Sequence, residues 1–214
     1  CLVGSEMCIR DRCQINPNRV DISEPEAGYT DTDIGYYLEL DNYATRDEDN
    51  HYISMDYENA TVTDINGETR QFVPAEYSIK NDLYSQNQID FIDKYLNNLF
   101  KIVYEACENG KYYKFDENYD LVDSDVTTAE EAVSNVMDID SVRDMYILYE
   151  IVHDYDCGEG SFYMCVDFSK DSKCPKLKFT SPWDFNWAYN DSTEKYYAGA
   201  CLLYTSPSPR DRQK

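Results

Sequence analysis

The chain has 214 residues, 42 of them acidic and 19 basic, for a formal net charge of −23. A surplus of that size repels phosphate backbones and offers no basic stripe, which excludes nucleic acid as a partner class. Hydrophobic residues make up 42% and tyrosines number 21, too many for an acidic disordered tail, so one domain of ordinary size is expected.

Both ends differ abruptly in composition from what lies between them. Residues 1–12 and the Ser-Pro and Arg-rich residues 201–214 resemble translated sequencing-adapter sequence and are set aside as artefact, leaving 13–200 as the expected domain. That body holds Cys13, Cys107, Cys157, Cys165 and Cys174, an odd number without a CxxC spacing. Neither a zinc site nor a disulfide scaffold follows, although one bridge among Cys157, Cys165 and Cys174 stays open. No apolar run reaches the length of a membrane span.

In chain order, residues 34–41 read as a strand of a half-exposed sheet, with Tyr36, Leu38 and Leu40 on one face and Tyr37, Glu39 and Asp41 on the other. Residues 51–57 and 60–65 alternate similarly, Asn66-Gly67 is a hairpin turn, and residues 71–79 are expected to pair back, with Pro74 at an edge or bulge. The period then changes. Ile89, Ile92, Leu96, Leu99, Val103 and Ala106 fall on one face of a long amphipathic helix, started by a Ser85/Gln88 capping box and stopped at Gly110.

Residues 116–125 read as a solvated acidic connector, 129–136 as a short helix, and 141–153 as another that Ser141 caps. Residues 161–167 and 176–179 alternate like two strands joined through Asp171-Ser172-Lys173, and the second delivers Trp183-Asp184-Phe185 at its end. A helix, an acidic loop at Asp156, a hairpin and then Asp184 is the order in which a kinase C-lobe lays out its catalytic loop and its metal-binding segment. Hard Mg²⁺ selects carboxylate oxygens held on rigid elements, which is what two such clusters beside aromatic residues supply.

These residues resemble the CotH family of spore-coat and bacterial surface kinases. Asp154-Tyr155-Asp156 is similar to that family's Asn-x-Asp, and Pro182-Trp183-Asp184-Phe185-Asn186-Trp187 to its Pro-x-Trp-Asp-Phe-Asp signature. Earlier stretches also match: residues 18–22 and 34–41 look like the segment just after the N-lobe, 89–96 like the long helix, and 138–141 like the lead into the helix with Glu150. The resemblance implies an α+β fold, the C-lobe portion of a protein-kinase-like domain with a small antiparallel sheet, a long helix and a catalytic-loop hairpin. It implies transfer of the ATP γ-phosphoryl group to Ser or Thr hydroxyls of a coat or surface protein, with Mg²⁺ or Mn²⁺ as cofactor.

On that resemblance Asp156 is the catalytic aspartate and Asp184 the metal ligand, joined by Asn186 and by Ser161, which stands five residues after Asp156 as the metal-binding Asn does in eukaryotic kinases. Three positions depart from the family pattern: Asn186 replaces an aspartate, Asp154 an asparagine, and Asn190 a glycine. The residues that grip ATP are expected upstream of Cys13, so the fragment alone is expected to be inactive; Lys80 is not assigned to ATP. Localisation is expected at a spore coat or cell surface. The alternative from another class is a non-catalytic, acidic, cation-binding coat or surface module, which leaves Asp156 and Asp184 unconstrained. Residues 116–125 lack the Asp-x-Asp-x-Asp-Gly spacing of an EF-hand, and nothing beyond paired acids supports a glycan-processing pair.

Overall fold

A computed structural model describes residues 15–46, 51–55, 57, 60–63, 67–71, 75–152, 154, 156–158 and 160–185. In chain order the strands are β1 (Gly35–Leu40), β2 (Tyr52–Met55), β3 (Thr61–Thr63), β4 (Thr69–Gln71), β5 (Ala75–Ile79), β6 (Tyr113–Phe115), β7 (Leu121–Asp123), β8 (Phe162–Asp167) and β9 (Lys178–Thr180). The helices are α1 (Gln86–Tyr104), α2 (Ala129–Val136) and α3 (Ile139–Val152). Among these residues no helix is long and apolar enough to cross a membrane.

Five strands form one antiparallel sheet in the order β2-β5-β1-β8-β9, with β1 at its centre. The architecture is α+β. The sheet is larger than the separate small unit and later hairpin expected from the sequence, because β8 lies against β1 over six residue pairs, from Gly35↔Asp167 to Leu40↔Phe162. Tyr163 to Asp167 are all buried, so β8 needs cover on both faces and a partner on both edges. The β-rich start of the chain and the hairpin before Asp184 therefore share one sheet.

Each face has its own core. Tyr36, Leu38, Ile53, Met164 and Val166 meet Ile92, Tyr95, Leu96, Leu99 and Ile102 of α1, and full burial of each such side chain stabilises by about 1.5–3 kcal/mol. On the opposite face Tyr37, Tyr163 and Cys165 pack with Val20, Ile22 and Cys174. Tyr37, expected to face solvent, is buried and stacks on Tyr163 at 5.4 Å.

The start of α1 follows the capping-box expectation. Ser85 Oγ accepts the Gln88 N–H and Gln88 Oε1 accepts the Ser85 N–H at 3.2 Å. Gln88 is fully buried because its amide also donates to the carbonyls of Tyr29 and Asp31. After Tyr104 the helix widens into a π turn, Glu105–Asn109, and stops at Gly110 with φ +62°.

Three local expectations are corrected. The strand expected over 71–79 divides: Thr69–Gln71 pairs with Thr61–Thr63, while Ala75–Ile79 joins the main sheet; Asn66 and Pro74 lie outside the described residues. Residues 116–125 are the turn and second strand of a β6–β7 hairpin, with Asp116 Oδ1 accepting the N–H groups of Asn118 and Asp120. Helix α3 begins at Ile139 rather than at Ser141, because Asp138 Oδ1 accepts the Ser141 N–H and takes the capping role.

Candidate functional site

Helix α3 docks onto β9 through its first turn. Ser141 Oγ donates to the Asp138 carbonyl at 2.7 Å and accepts the Phe179 N–H at 3.0 Å, while Asp138 N–H donates to the Leu177 carbonyl. Polar contacts thus fix the start of α3 to the strand that leads into Asp184. At its other end Tyr149 holds two rings, Phe162 at 5.6 Å and Phe185 at 5.7 Å, and Phe162 meets Phe179 edge-on at 4.8 Å. One aromatic chain therefore joins the end of α3, the start of β8, β9 and the residue after Asp184.

Asp184 is bracketed by two anchors. Trp183 packs against the cluster containing Tyr37 and Tyr163, and Phe185 lies on Tyr149. The half-buried Asp184 lies between them in the chain.

The backbone around this end of the hairpin is unusual. Four non-glycine residues among those described have positive φ, and three are Ser161 (+55°), Ser181 (+52°) and Asp184 (+56°). Ser161 immediately precedes β8 and Ser181 immediately follows β9. Because the two strands are antiparallel, with Tyr163 opposite Thr180, both lie at the same end of the pair. A left-handed conformation costs an L-residue about 1–2 kcal/mol, and such strain persists where the surroundings hold it in place. Here it falls on residues that flank, or closely follow, one end of the β8–β9 pair.

Of the residues assigned by sequence, Asp184 and Ser161 are brought to this end. Asp156 opens a 3₁₀ turn, Asp156–Gly158, just beyond α3; its side chain lies outside the described residues, as do Asn186, His153, Trp187 and Asn190. Asp154 is buried between α3 and that turn, and its carbonyl accepts the Cys157 thiol at 3.2 Å. Lys80 forms an ion pair with Glu39. Two acids at the β6–β7 hairpin are ion-paired, Asp120 with Lys94 of α1 at 2.8 Å and Asp125 with Lys114 at 3.1 Å.

Among the described residues no group of three or more His, Cys, Asp or Glu side chains could hold a metal. The oxygens of Asp184 and Ser161 are nonetheless hard donors of the type Mg²⁺ takes, and Mg²⁺ commonly keeps only one or two protein carboxylates alongside water and phosphate. Sequence reasoning missed Ser181, since serine carries no signal for positive φ, and Tyr149, whose clamping role depends on a distant ring. Comparison of the chain with family models, curated proteins and solved structures returns no match in any of the three.

Proposed function

We propose that this chain carries the phosphoryl-transfer half of a CotH-like protein kinase, acting on Ser or Thr hydroxyls of a coat or surface protein. The observation that carries this reading is the placement of Ser161 and Asp184, both left-handed, at one end of the β8–β9 pair, with the Asp156 turn between α3 and β8. Left-handed polar residues flanking the same end of a strand pair suit a site better than a bare turn.

In this reading Asp156 accepts or orients the proton of the acceptor hydroxyl. Asp184, with Ser161 and Asn186, would hold Mg²⁺ or Mn²⁺, which would supply positive charge to offset that of the ATP phosphates. Trp183, packed on the Tyr37 and Tyr163 cluster, and Phe185, packed on Tyr149, hold the residues on either side of Asp184, and the aromatic chain through Tyr149 links the start of β8 to the end of β9.

The test is Mn²⁺ binding to this chain with and without ATP, followed by water-proton relaxation, together with label transfer from γ-³²P-labelled ATP to a Ser/Thr-containing protein substrate by the full-length parent protein. Asp184→Asn should weaken Mn²⁺-ATP binding at least about tenfold, a loss of about 1.4 kcal/mol, whereas Asp123→Asn should leave it unchanged. Equal weakening by both substitutions would point instead to diffuse cation binding by a non-catalytic acidic module. Transfer undiminished in both Asp156→Ala and Asp184→Ala would overturn the assignment of roles.

A further inference from the structure

Two thiols meet at the other end of the same hairpin. Cys165 lies in β8 and Cys174 just before β9; both are buried, and their sulfurs are 3.6 Å apart. The loop between them is already closed by its own hydrogen bonds. Asp167 N–H donates to the Cys174 carbonyl at 2.8 Å, Cys174 N–H to Ser172 Oγ at 3.0 Å, and Ser169 N–H to Asp167 Oδ1 at 2.9 Å. Asp167 Oδ2 also accepts the Ser23 N–H, so the loop is tied to the start of the chain.

Cys174 is within reach of solvent chemistry. It lines a surface cavity of about 350 Å³ whose rim carries Lys173, Lys176 and Lys178 together with Asp138 and Asp140. Either thiol can donate in the Sγ–Sγ contact; that contact and then Lys178 favour the Cys174 thiolate against burial and the charges of Asp167 and Asp138, with the net direction downward, while the same contact and burial push Cys165 up. Cys174 lines the cavity and Cys165 stands behind it in β8, so Cys174 is the sulfur placed to attack and Cys165 the one placed to resolve.

We propose that Cys165 and Cys174 are a redox pair that closes to a disulfide by exchange with a small-molecule disulfide entering through the lysine-rimmed cavity. Cys174 thiolate attacks one sulfur of the reagent, breaking its S–S bond and releasing one thiolate. Cys165 then gives its proton to solvent and attacks Cys174 sulfur, expelling the second thiolate. One reagent disulfide becomes two thiols, and two protein thiols become one disulfide. The cross-link requires no nucleotide and no metal. It closes a ten-residue loop, and constraint of the unfolded chain on that scale raises a thermal midpoint by roughly 5–10 °C in a domain of this size.

The full chain is incubated with oxidised glutathione, remaining thiols are alkylated, and the protein is digested for peptide mapping by mass spectrometry. The expected product is a Cys165–Cys174 linked peptide lighter by two hydrogens, with Cys107 and Cys157 alkylated. Oxidation should raise the melting midpoint by roughly 5–10 °C in the unsubstituted chain and not at all in Cys174→Ala. Alkylation of both Cys165 and Cys174 after oxidation, or a midpoint rise that survives Cys174→Ala, overturns the proposal. The peptide map decides the matter even if the substituted chain fails to fold.

Discussion

The side chain of Asn81 stands in for a strand residue beside Tyr37. Its Oδ1 accepts the Tyr37 N–H at 2.8 Å and its Nδ2 donates to the Gly35 carbonyl at 3.1 Å, both bonds buried. Strand β5 ends at Ile79, opposite Leu38, and Lys80 N–H still reaches the Tyr37 carbonyl; beyond that point only the Asn81 amide continues the ladder along β1. Asn81→Ala leaves a buried donor and a buried acceptor unpaired, at about 1–3 kcal/mol for each group that finds no water. A loss of about 2–4 kcal/mol in urea denaturation is expected. Asn81→Asp retains the acceptor but turns an oxygen toward the Gly35 carbonyl, so it should rescue little.

The same strand end is intolerant of a single methyl group. A Cβ on Gly35 would lie 2.7 Å from Ile22 Cβ and 2.9 Å from the Ser23 carbonyl oxygen. Ile22 sits in the buried second cluster, and the Ser23 carbonyl is held by the Gly35 N–H at 2.8 Å, so neither neighbour can retreat cheaply. Gly35→Ala should destabilise by about 1–3 kcal/mol through overpacking. Gly67→Ala has open space around its Cβ, so its cost should come only from its backbone at φ +81°. Thermal melts of the two variants side by side separate these causes.

Glu105 couples the end of α1 to pH. Tyr57 donates to its Oε1 at 2.6 Å, Asn109 to its Oε2 at 3.0 Å, and Lys111 lies 3.6 Å away. The Tyr57 hydrogen bond, followed by Asn109 and Lys111, outweighs burial and holds the carboxyl below its ordinary range, while the same bond pushes the Tyr57 hydroxyl up to about 12. A carboxyl whose folded pKa lies below its unfolded one adds stability above the unfolded value and loses it as pH falls through the folded value. Tyr57→Phe should therefore cost about 1–2 kcal/mol at neutral pH. The gap from the unsubstituted protein should narrow as pH falls below the ordinary glutamate range and Glu105 takes up a proton in the folded protein. A gap that stays constant with pH would show that the hydroxyl acts through packing on Phe100 and Tyr104 alone.

What was legible in the sequence was local. The capping box at Ser85 and Gln88, the α1 periodicity and the Gly110 stop follow from interactions spanning a few residues, and all three are present. Non-local facts were hidden: the alternation of residues 162–167 marks a strand but not the neighbour it chooses, and the pairing of β8 with β1 joins positions more than a hundred residues apart. Asn81 reads as a polar residue after a strand, with nothing to mark its amide as a ladder substitute. At the candidate site the aromatic flanks of Asp184 were legible as packing, whereas the left-handed backbone of Ser161 and Ser181 was not, because each is imposed by what lies beside the strand end.

That backbone makes stability and site chemistry separable at Ser161 and Asp184. Glycine accepts positive φ without the Cβ penalty, so Ser161→Gly and Asp184→Gly relieve strain of about 1 kcal/mol each while raising the entropy of the unfolded chain by a comparable amount. Both variants should melt within about 2–4 °C of the unsubstituted protein. Asp184→Gly should still lose Mn²⁺-dependent nucleotide binding, because the carboxylate is gone, whereas Asp184→Asn keeps the side-chain volume and removes only the charge. Ser161→Gly removes a neutral oxygen and should weaken the same binding less. A large fall in melting temperature for Asp184→Gly would instead show that the carboxylate is spent on holding the hairpin end together, leaving none of its charge for an ion.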